Sequence, residues 1–448
     1  MAIRARSGAP DGRAGKLPFR SALWVSTTYF AEGYPYSIVN NLAEVLFREL
    51  GASLRLIGLT ALFHLPWNLK FLWGPVLDRY ETKRRWLVGT EIVLTVLLAG
   101  LVLAVAGRSP LGWLAALFVV LGFAAATHDI AIDGFYLEGL DEAGQSRFVG
   151  FRAMAYKVAS LLVRGPLLIV VGWVGWSYGL AAAALLMLAL TLVHFVIVPR
   201  VETPGRRLRD LCARRASSAA PAEAQPRTGG SFYTRAFVDF LRQPKVGRIL
   251  GFVVLFRAGE SFLQKMRWPF LRDVLGMSLE TYGFTNGTIG VAASFLGTLV
   301  GGALIARQGL RRWIWPCALA QNVLTLLYLG LALAAASGKP GLPVVTAVIT
   351  IEHFGEGVGT AVLMVFLMRC CDPAHKAAHM ALLTAVMSLS FTLAGGVSGF
   401  VAEAIGFPSY FALSFVATIP AMVLIPLLPY LDGRAPPAPA SPPSAQTR

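Results

Sequence analysis

The chain has 448 residues, of which 56% are hydrophobic and only 14% are charged, and its formal net charge is +16. Soluble proteins average roughly 25% charged residues, so this composition excludes a soluble enzyme, a disordered chain and a secreted disulfide scaffold. In a soluble protein the positive charge would indicate nucleic-acid binding, whereas in a membrane protein basic residues collect in cytoplasmic loops. We therefore expect a membrane protein that contacts the lipid bilayer and binds no nucleic acid.

Apolar runs long enough to cross a bilayer, which takes roughly 20 residues, recur along the whole chain. They are predicted to be α-helices, because backbone groups inside lipid have to be hydrogen-bonded within the chain. The fold class is thus an all-α membrane protein with twelve transmembrane helices. In chain order, the predicted spans are 21–43, 55–77, 86–106, 111–137, 148–171, 176–198, 248–268, 282–305, 312–336, 342–369, 377–402 and 407–430.

Lysine and arginine residues determine the predicted orientation of these spans. The connections that follow even-numbered spans are basic, and those that follow odd-numbered spans are short and nearly neutral. Because basic loops stay in the cytoplasm, both termini are predicted to be cytoplasmic. The predicted organisation is a cytoplasmic tail (1–20), a six-helix half (21–199), a cytoplasmic linker rich in Arg, Pro, Ser and Ala (200–247), a second six-helix half (248–430) and a disordered tail (431–448).

The two predicted halves repeat each other in sequence. The turn Gly74–Arg79, followed by Arg84 and Arg85, returns as Gly302–Arg307 followed by Arg311 and Arg312, and Glu32 is separated from Glu260 by the same interval. Acidic pairs four residues apart also recur, as Asp129 with Asp133 and as Glu352 with Glu356. Parallel repeats of this kind are typical of the major facilitator fold, whose substrate site lies at the membrane midplane between the halves. The Gly-x-x-x-Asp-Arg turn resembles the loop between the second and third helices of that superfamily.

A closer resemblance rests on three stretches: Tyr29–Pro35, Leu65–Arg79 and Ala126–Gly134. They resemble the first, second and fourth helices of the AmpG-type muropeptide permeases and of their relatives, the acetyl-coenzyme A transporters. His128 stands where the permeases usually have Gln, at a position expected to face the cavity. The resemblance implies proton-driven uptake of a polar anionic solute across the bacterial inner membrane, with a muropeptide expected and acetyl-coenzyme A or another organic anion as the alternative.

Acidic residues at membrane depth are the candidates for proton coupling, because a charge there costs a few kcal/mol unless it faces a cavity or a partner. Asp129 and Asp133 share one face of a helix, and a structural network in which Asp133 pairs with Arg152 or Lys157 is the alternative. For Glu32 and Glu260 the alternative is a packing hydrogen bond, and Glu260 could also pair with Arg257. For Glu352 and Glu356 the alternative is a bend of the tenth helix. The proton-coupling candidates are Glu32, His128, Asp129, Asp133, Glu260, Glu352 and Glu356.

Basic and aromatic residues inside the spans are the candidates for substrate binding. Lys70, Lys157 and Arg257 are expected to bind the anionic groups of the solute, with snorkelling to the headgroups as the alternative. Three aromatic residues are candidates for stacking on the solute, and interfacial anchoring is their alternative. These residues are Tyr29, Trp67 and Trp268.

The basic turn after the second span is predicted to form a gate, with an ordinary solvated loop as the alternative. The predicted gate residues are Gly74, Asp78, Arg79, Arg84 and Arg85, with Arg307 in the second copy of the turn. The sequence has no phosphate-binding loop, dinucleotide fingerprint or nucleophile elbow, so we expect no enzyme activity, no cofactor and no metal. We expect a monomer, and a non-transporting sensor that kept the fold is the alternative of a different class.

Overall fold

A computed structural model of the chain describes residues 19–200, 237–372 and 375–432. The helices, numbered in chain order, are α1 (Phe19–Ser37), α2 (Ala43–Glu49), α3 (Leu54–Leu59), α4 (Leu65–Leu69), α5 (Gly74–Arg79), α6 (Lys83–Ala106), α7 (Leu111–Gly139), α8 (Glu142–Arg164), α9 (Pro166–Val174), α10 (Trp176–Ile197), α11 (Val246–Phe256), α12 (Ala258–Asp273), α13 (Leu279–Tyr282), α14 (Val291–Gln308), α15 (Leu310–Val323), α16 (Leu326–Ser337), α17 (Leu342–Cys370), α18 (Lys376–Val416) and α19 (Ile419–Leu424). We call residues 19–200 the first half and residues 237–432 the second half. The predicted N-terminal tail up to residue 18, most of the predicted linker (201–236) and the predicted C-terminal tail from residue 433 lie outside the described residues.

Eight helices among the described residues are long and apolar enough to cross a membrane. The predicted spans 21–43, 55–77 and 248–268 are not among them; the helices there are broken by irregular turns or contain many polar and charged residues. The predicted spans 377–402 and 407–430 fall on one continuous helical element that turns at Gly406, whose φ is +73°. The all-helical membrane fold is therefore confirmed, whereas the count of twelve crossings stays a prediction.

Some of the helices that contain predicted site residues include irregular turns. A π-helical turn (Ile38–Leu42) follows Pro35 of α1, and a second one (Gly283–Gly290) joins α13 to α14. The 3₁₀ segments Thr60–His64 and Lys70–Leu72 flank α4. Such irregular turns free backbone groups from the regular helical pattern and are frequent at functional sites.

The buried apolar side chains form one cluster that both halves share and two that belong to one half each. The shared cluster contains Leu46 and Phe47 of the first half and Met266 and Phe270 of the second. The other clusters surround Phe135 in the first half and Phe366 in the second. The two halves are therefore packed together at one end of the molecule, which we call the closed end and define as residues 43–61 and 265–283.

Glycine allows the halves to approach each other closely near the closed end. A Cβ atom on Gly399 would lie 1.8 Å from the carbonyl oxygen of Leu54, and one on Gly287 would lie 1.7 Å from that of Arg164. Any larger side chain at either position would push the two halves apart. Small residues serve the same purpose wherever membrane helices pack backbone to backbone.

Candidate functional site

An ion pair joins Lys70 to Asp129 inside the first half. Lys70 begins the 3₁₀ segment after α4, and Asp129 lies in the long helix α7. The carboxylate side chain is 11% exposed and the lysine side chain is 36% exposed. The structure thus brings together a predicted substrate-binding residue and a predicted proton-coupling residue, and the lysine remains accessible.

Asp133, one turn along α7, has a different set of partners. Its Oδ1 accepts a hydrogen bond of 2.8 Å from the Tyr29 hydroxyl and lies 2.9 Å from the guanidinium of Arg152. The same guanidinium lies 4.5 Å above the centre of the Tyr29 ring. Of the two cations considered for Asp133 from sequence, Arg152 is therefore the partner, and Tyr29 positions this pair.

Glu32 of α1 faces the same group of charges. It is buried, and its Oε2 has no hydrogen-bond partner among the described residues. The charges that act on it are those of Asp129, Asp133, Arg152 and Lys70. Lys70 pairs with Asp129 and Arg152 pairs with Asp133, so Glu32 is the acid of this cluster without an ion-pair partner among the described residues. We call Glu32, Lys70, Asp129, Asp133 and Arg152 the first-half charge cluster.

A second group of charges spans both halves. Arg257 donates a hydrogen bond of 2.5 Å to Oε2 of Glu260, and a second one of 3.2 Å to the Thr360 hydroxyl. The expected Arg257–Glu260 ion pair is thus present. Three more charged residues complete the group: Lys157 and Arg164 of the first half and Glu356 of the second. They interact electrostatically with one another and with Arg257. The predicted residues Lys157, Arg257, Glu260 and Glu356 therefore meet where the halves face each other.

Glu352 belongs to a fully buried network beside the second group, whose Glu260 and Glu356 interact with that network electrostatically. It accepts a 2.7 Å hydrogen bond from Arg267, and both side chains are 2% exposed. Arg267 also reaches His353 Nε2 at 3.0 Å and donates to the Asn286 side chain at 3.2 Å. Glu352 thus has its own enclosed cation in this structure, and its role in proton coupling stays a prediction.

His128 differs from expectation, because it does not face a cavity. Its side chain is completely buried, and its Nε2 lies 3.2 Å from Oε1 of Glu91 in α6. His194 of α10 reaches the same oxygen at 2.6 Å. Adjacent residues on a helix point about 100° apart, so when Asp129 faces Lys70, His128 has to face the neighbouring helices.

The three predicted aromatic residues are in three different settings. Tyr29 supports the Asp133–Arg152 pair, as described above. Trp67 is half-buried and packs against Tyr36 with the ring centres 5.0 Å apart. Trp268 is 1% exposed and packs on Tyr282 within the shared apolar cluster, and its stacking on a solute stays a prediction.

The predicted gate residues contact their own half. Asp78 pairs with Lys83, and Arg85 pairs with Glu81 at 2.6 Å. Arg84 donates hydrogen bonds to the carbonyl oxygens of Phe195 and Val198. The guanidinium of Arg79 lies 5.7 Å from the Tyr80 ring centre, Arg307 is exposed, and nothing lies within 4 Å of a Cβ built on Gly74.

The ion pairs that join the halves lie instead at the closed end, and sequence reasoning missed them. Lys265 reaches Glu44 at 2.8 Å and donates to the Thr60 hydroxyl at 3.1 Å. Arg48 lies 2.5 Å from Asp273, and Arg272 pairs with Glu49. Opposite charges at the ends of the first and seventh predicted spans were the available signal, but the sequence does not say which of them meet.

Buried ion pairs inside two packed helical halves, among helices long and apolar enough to cross a membrane, are typical of membrane transporters. A family model described as the Major Facilitator Superfamily matches residues 25–263 and 250–447. The chain therefore belongs to the Major Facilitator Superfamily. It is a multi-pass protein of the bacterial inner membrane that carries a small-molecule solute.

Relatives of known description confirm the AmpG-type resemblance. The chain is 26% identical to the anhydromuropeptide permease of Escherichia coli K12 over 404 residues, which cover 88% of this chain and 77% of the permease. It is 22% identical to putative transporter AmpG 4 of Rickettsia conorii, with 88% and 92% of the two chains covered.

Solved structures share the fold at low sequence identity. A bacterial homologue of the human lysosomal transporter Spinster, in an inward-facing and unoccupied conformation, superposes with a TM-score of 0.71 at 14% identity over 92% of this chain and 97% of that one. A D-xylose–proton symporter superposes with a TM-score of 0.67 at 14% identity over 93% and 99%. The chain therefore shares its fold with these transporters.

Proposed function

We propose that this protein is a proton-coupled symporter that takes up an anionic muropeptide, an anhydro-disaccharide-peptide, by alternating access. The observation that carries the proposal is the first-half charge cluster, in which Glu32, Asp129 and Asp133 share Lys70 and Arg152. A buried charge without a counter-charge is unfavourable by several kcal/mol, so the cluster favours one bound proton. The similarity to the Escherichia coli anhydromuropeptide permease supports the choice of solute.

The topology that goes with this function has twelve crossings in two six-helix halves, both termini in the cytoplasm, and a monomer as the working unit. Basic residues after the even-numbered spans support this orientation. In this orientation the closed end faces the periplasm, and the cytoplasm is faced by the gate residues Asp78, Arg79, Arg84 and Arg85. The state described is then inward-facing, since the halves share their apolar cluster at the periplasmic end.

Coupling follows from competition for Lys70. A carboxylate of the solute that binds the accessible ammonium of Lys70 displaces Asp129 from it. Asp129 then has no cation in a region of low dielectric, so it takes up a proton and becomes neutral. The proton and the solute therefore bind together, which is the requirement for symport.

The second group of charges would hold the remaining anionic groups of the solute. Lys157, Arg164 and Arg257 bring three positive charges to the surface between the halves, against Glu260 and Glu356. Charge-assisted hydrogen bonds to carboxylates are about twice as strong as neutral ones. Since Lys157 and Arg164 belong to one half and Arg257 to the other, a bound anion would draw the halves together.

Uptake by purified protein in proteoliposomes tests the proposal. With an anhydro-muropeptide outside and an inside-alkaline pH gradient, we expect accumulation above equilibrium that a protonophore abolishes. Lys70→Gln should lose this accumulation, and the matched control Arg108→Gln, which changes an exposed loop cation, should retain it. Accumulation that does not depend on the pH gradient would contradict proton coupling. Uptake of acetyl-coenzyme A instead of the muropeptide would contradict the choice of solute.

A further inference from the structure

Five aromatic side chains meet between the halves, one turn from Lys70. The ring centres of Tyr36 and Trp67 are 5.0 Å apart, those of His64 and Trp67 are 5.6 Å apart, and those of Tyr36 and Tyr156 are 5.7 Å apart. The second half contributes Phe391, whose ring centre lies 5.7 Å from that of His64. We call these residues the ring cluster: Tyr36, His64, Trp67, Tyr156 and Phe391.

The ring cluster is not an ordinary piece of apolar core. Four of its members, all except His64, are only partly buried. The indole N–H of Trp67 is buried without an acceptor among the described residues, although buried donors in native proteins nearly always have one. The helices are also irregular here, since Tyr36 precedes the π-helical turn and His64 ends a 3₁₀ segment.

The ring cluster lies at the contact between the halves, since Phe391 of the second half packs against His64 of the first. The charges that act on the Tyr36 hydroxyl are those of Asp129, Lys70, Arg164 and Arg257, which come from both halves. A lipid-facing residue cannot be surrounded by charges from both halves. The ring cluster therefore lies between the first-half charge cluster and the cations proposed to bind the solute.

Polar side chains border the ring cluster. His64 Nδ1 lies 3.0 Å from Asn40 Oδ1, and this contact fixes the plane of the imidazole. Asn68 donates a 2.9 Å hydrogen bond to the Thr392 hydroxyl across the halves and also contacts Ser388. The site thus combines apolar ring faces with amide and hydroxyl groups at its edge, as small-molecule sites generally do.

The angles between the rings distinguish two kinds of occupant. A planar nucleobase is best held between two parallel rings that leave a slot, but the only near-parallel rings of the cluster, His64 and Trp67, contact each other directly at 15°. The neighbouring rings meet at 52° to 88°. A saccharide ring suits ring faces inclined in this way, because it presents C–H groups on its faces and hydroxyl or acetamido groups around its edge.

We propose that the ring cluster is the subsite for a pyranose ring of the solute, with Trp67 and Tyr36 as the contact surfaces. This inference rests on the proposed muropeptide transport and assigns its sugar part to residues that neither charge group contains. An acceptor oxygen of the sugar would satisfy the Trp67 N–H. The anionic part of the same solute would then lie toward Lys70 on one side and Arg257 on the other.

Binding measurements on purified full-length protein test the assignment. The probes are an anhydro-disaccharide-peptide, the same peptide without sugar, and acetyl-coenzyme A, and the readout is the dissociation constant of each. For Trp67→Leu we expect about tenfold weaker binding of the sugar-bearing probe, the effect of losing roughly 1.4 kcal/mol of ring contact. Binding of the sugar-free peptide should change less than about twofold, and Trp67→Phe should restore most of the loss. Trp173→Leu, at a 73% exposed tryptophan, is the matched control and should bind all probes like the unaltered protein.

The outcomes separate this inference from the proposed function. If the unaltered protein binds the sugar-bearing probe and Trp67→Leu binds it equally well, the subsite assignment fails and the transport proposal stands. An equal loss for the sugar-bearing and sugar-free probes would also overturn the assignment, because it would show a general disturbance. A loss confined to acetyl-coenzyme A would identify a nucleobase site. If the unaltered protein binds no sugar-bearing probe, the proposed function itself fails.

Discussion

Asp129 in the first half and Glu352 in the second each begin an acidic pair with four-residue spacing on a long helix, α7 or α17. Their surroundings differ. Asp129 pairs with an accessible lysine and lies close to Glu32, an acid that lacks its own cation. Glu352 pairs with Arg267 in a network in which both side chains are almost completely enclosed. The cation of the first pair is accessible, and that of the second pair is enclosed.

The comparison shows that equivalent positions in an internal repeat have different surroundings. Each long helix has a carboxylate at the equivalent position, but the neighbouring helices decide whether its cation is accessible or enclosed. In the first half, Lys70 comes from an irregular segment that allows its approach to Asp129. In the second half, Arg267 comes from α12 and meets Glu352 behind the surface between the halves.

The largest effect should come from breaking the enclosed pair. Glu352→Gln leaves the charge of Arg267 buried without compensation, so we expect a loss of about 3–5 kcal/mol in the free energy of unfolding. Thermal unfolding of the detergent-purified protein measures it. The double variant Glu352→Met with Arg267→Met removes both charges and should be more stable than the single variant. An unchanged melting temperature for Glu352→Gln would show that the pair is not a structural element.

The next largest effect should come from the accessible pair, and it should fall on transport and not on stability. Asp129→Asn cannot take up the proton that the solute displaces from the pair, so accumulation driven by a pH gradient should be abolished. Exchange of labelled for unlabelled solute should persist, because it needs no net proton movement. Proteoliposome uptake and counterflow assays measure the two activities, and Asp129→Glu is the conservative control. Undiminished accumulation by Asp129→Asn would contradict the role of this residue.

A smaller effect should come from the closed end, where Lys265 reaches Glu44 across the halves. Lys265→Met leaves Glu44 without this cation, so the state open at this end should become about tenfold more populated, a change of roughly 1.4 kcal/mol. Spin labels at Leu50 and Lys339, both exposed, report the separation of the halves by pulsed electron resonance. An unchanged distance distribution would show that the apolar contacts alone hold this end closed.

The smallest effect should come from Arg55→Ala. Arg55 lies 3.1 Å from Glu403 across the halves, but the two side chains are 58% and 41% exposed. Exposed pairs contribute about 0–1 kcal/mol, so the label distances and the melting temperature should stay close to those of the unaltered protein. A shift as large as that of Lys265→Met would mean that burial does not govern the strength of these contacts.

Several features of the site were predictable from local sequence. The spacing of Asp129 and Asp133 places both on one helical face, and the three-residue separation of Arg257 and Glu260 predicted their ion pair. Other features were not predictable. Glu91 and His194 are separated by 103 positions in the chain, and Lys265 and Glu44 by 221. No local periodicity specifies such contacts.

The chain alone predicts an all-helical membrane protein, because composition and hydropathy are properties of each residue, and the contiguous stretch from Leu65 to Arg79 carries its resemblance to a transporter family. The packing of the helices shows which charged residues are partners: Lys70 pairs with Asp129, Arg267 with Glu352, and Lys265 with Glu44. Local sequence does not specify these pairs, because the strength of an ion pair depends on its partner and its exposure, and helices far apart in the chain fix both.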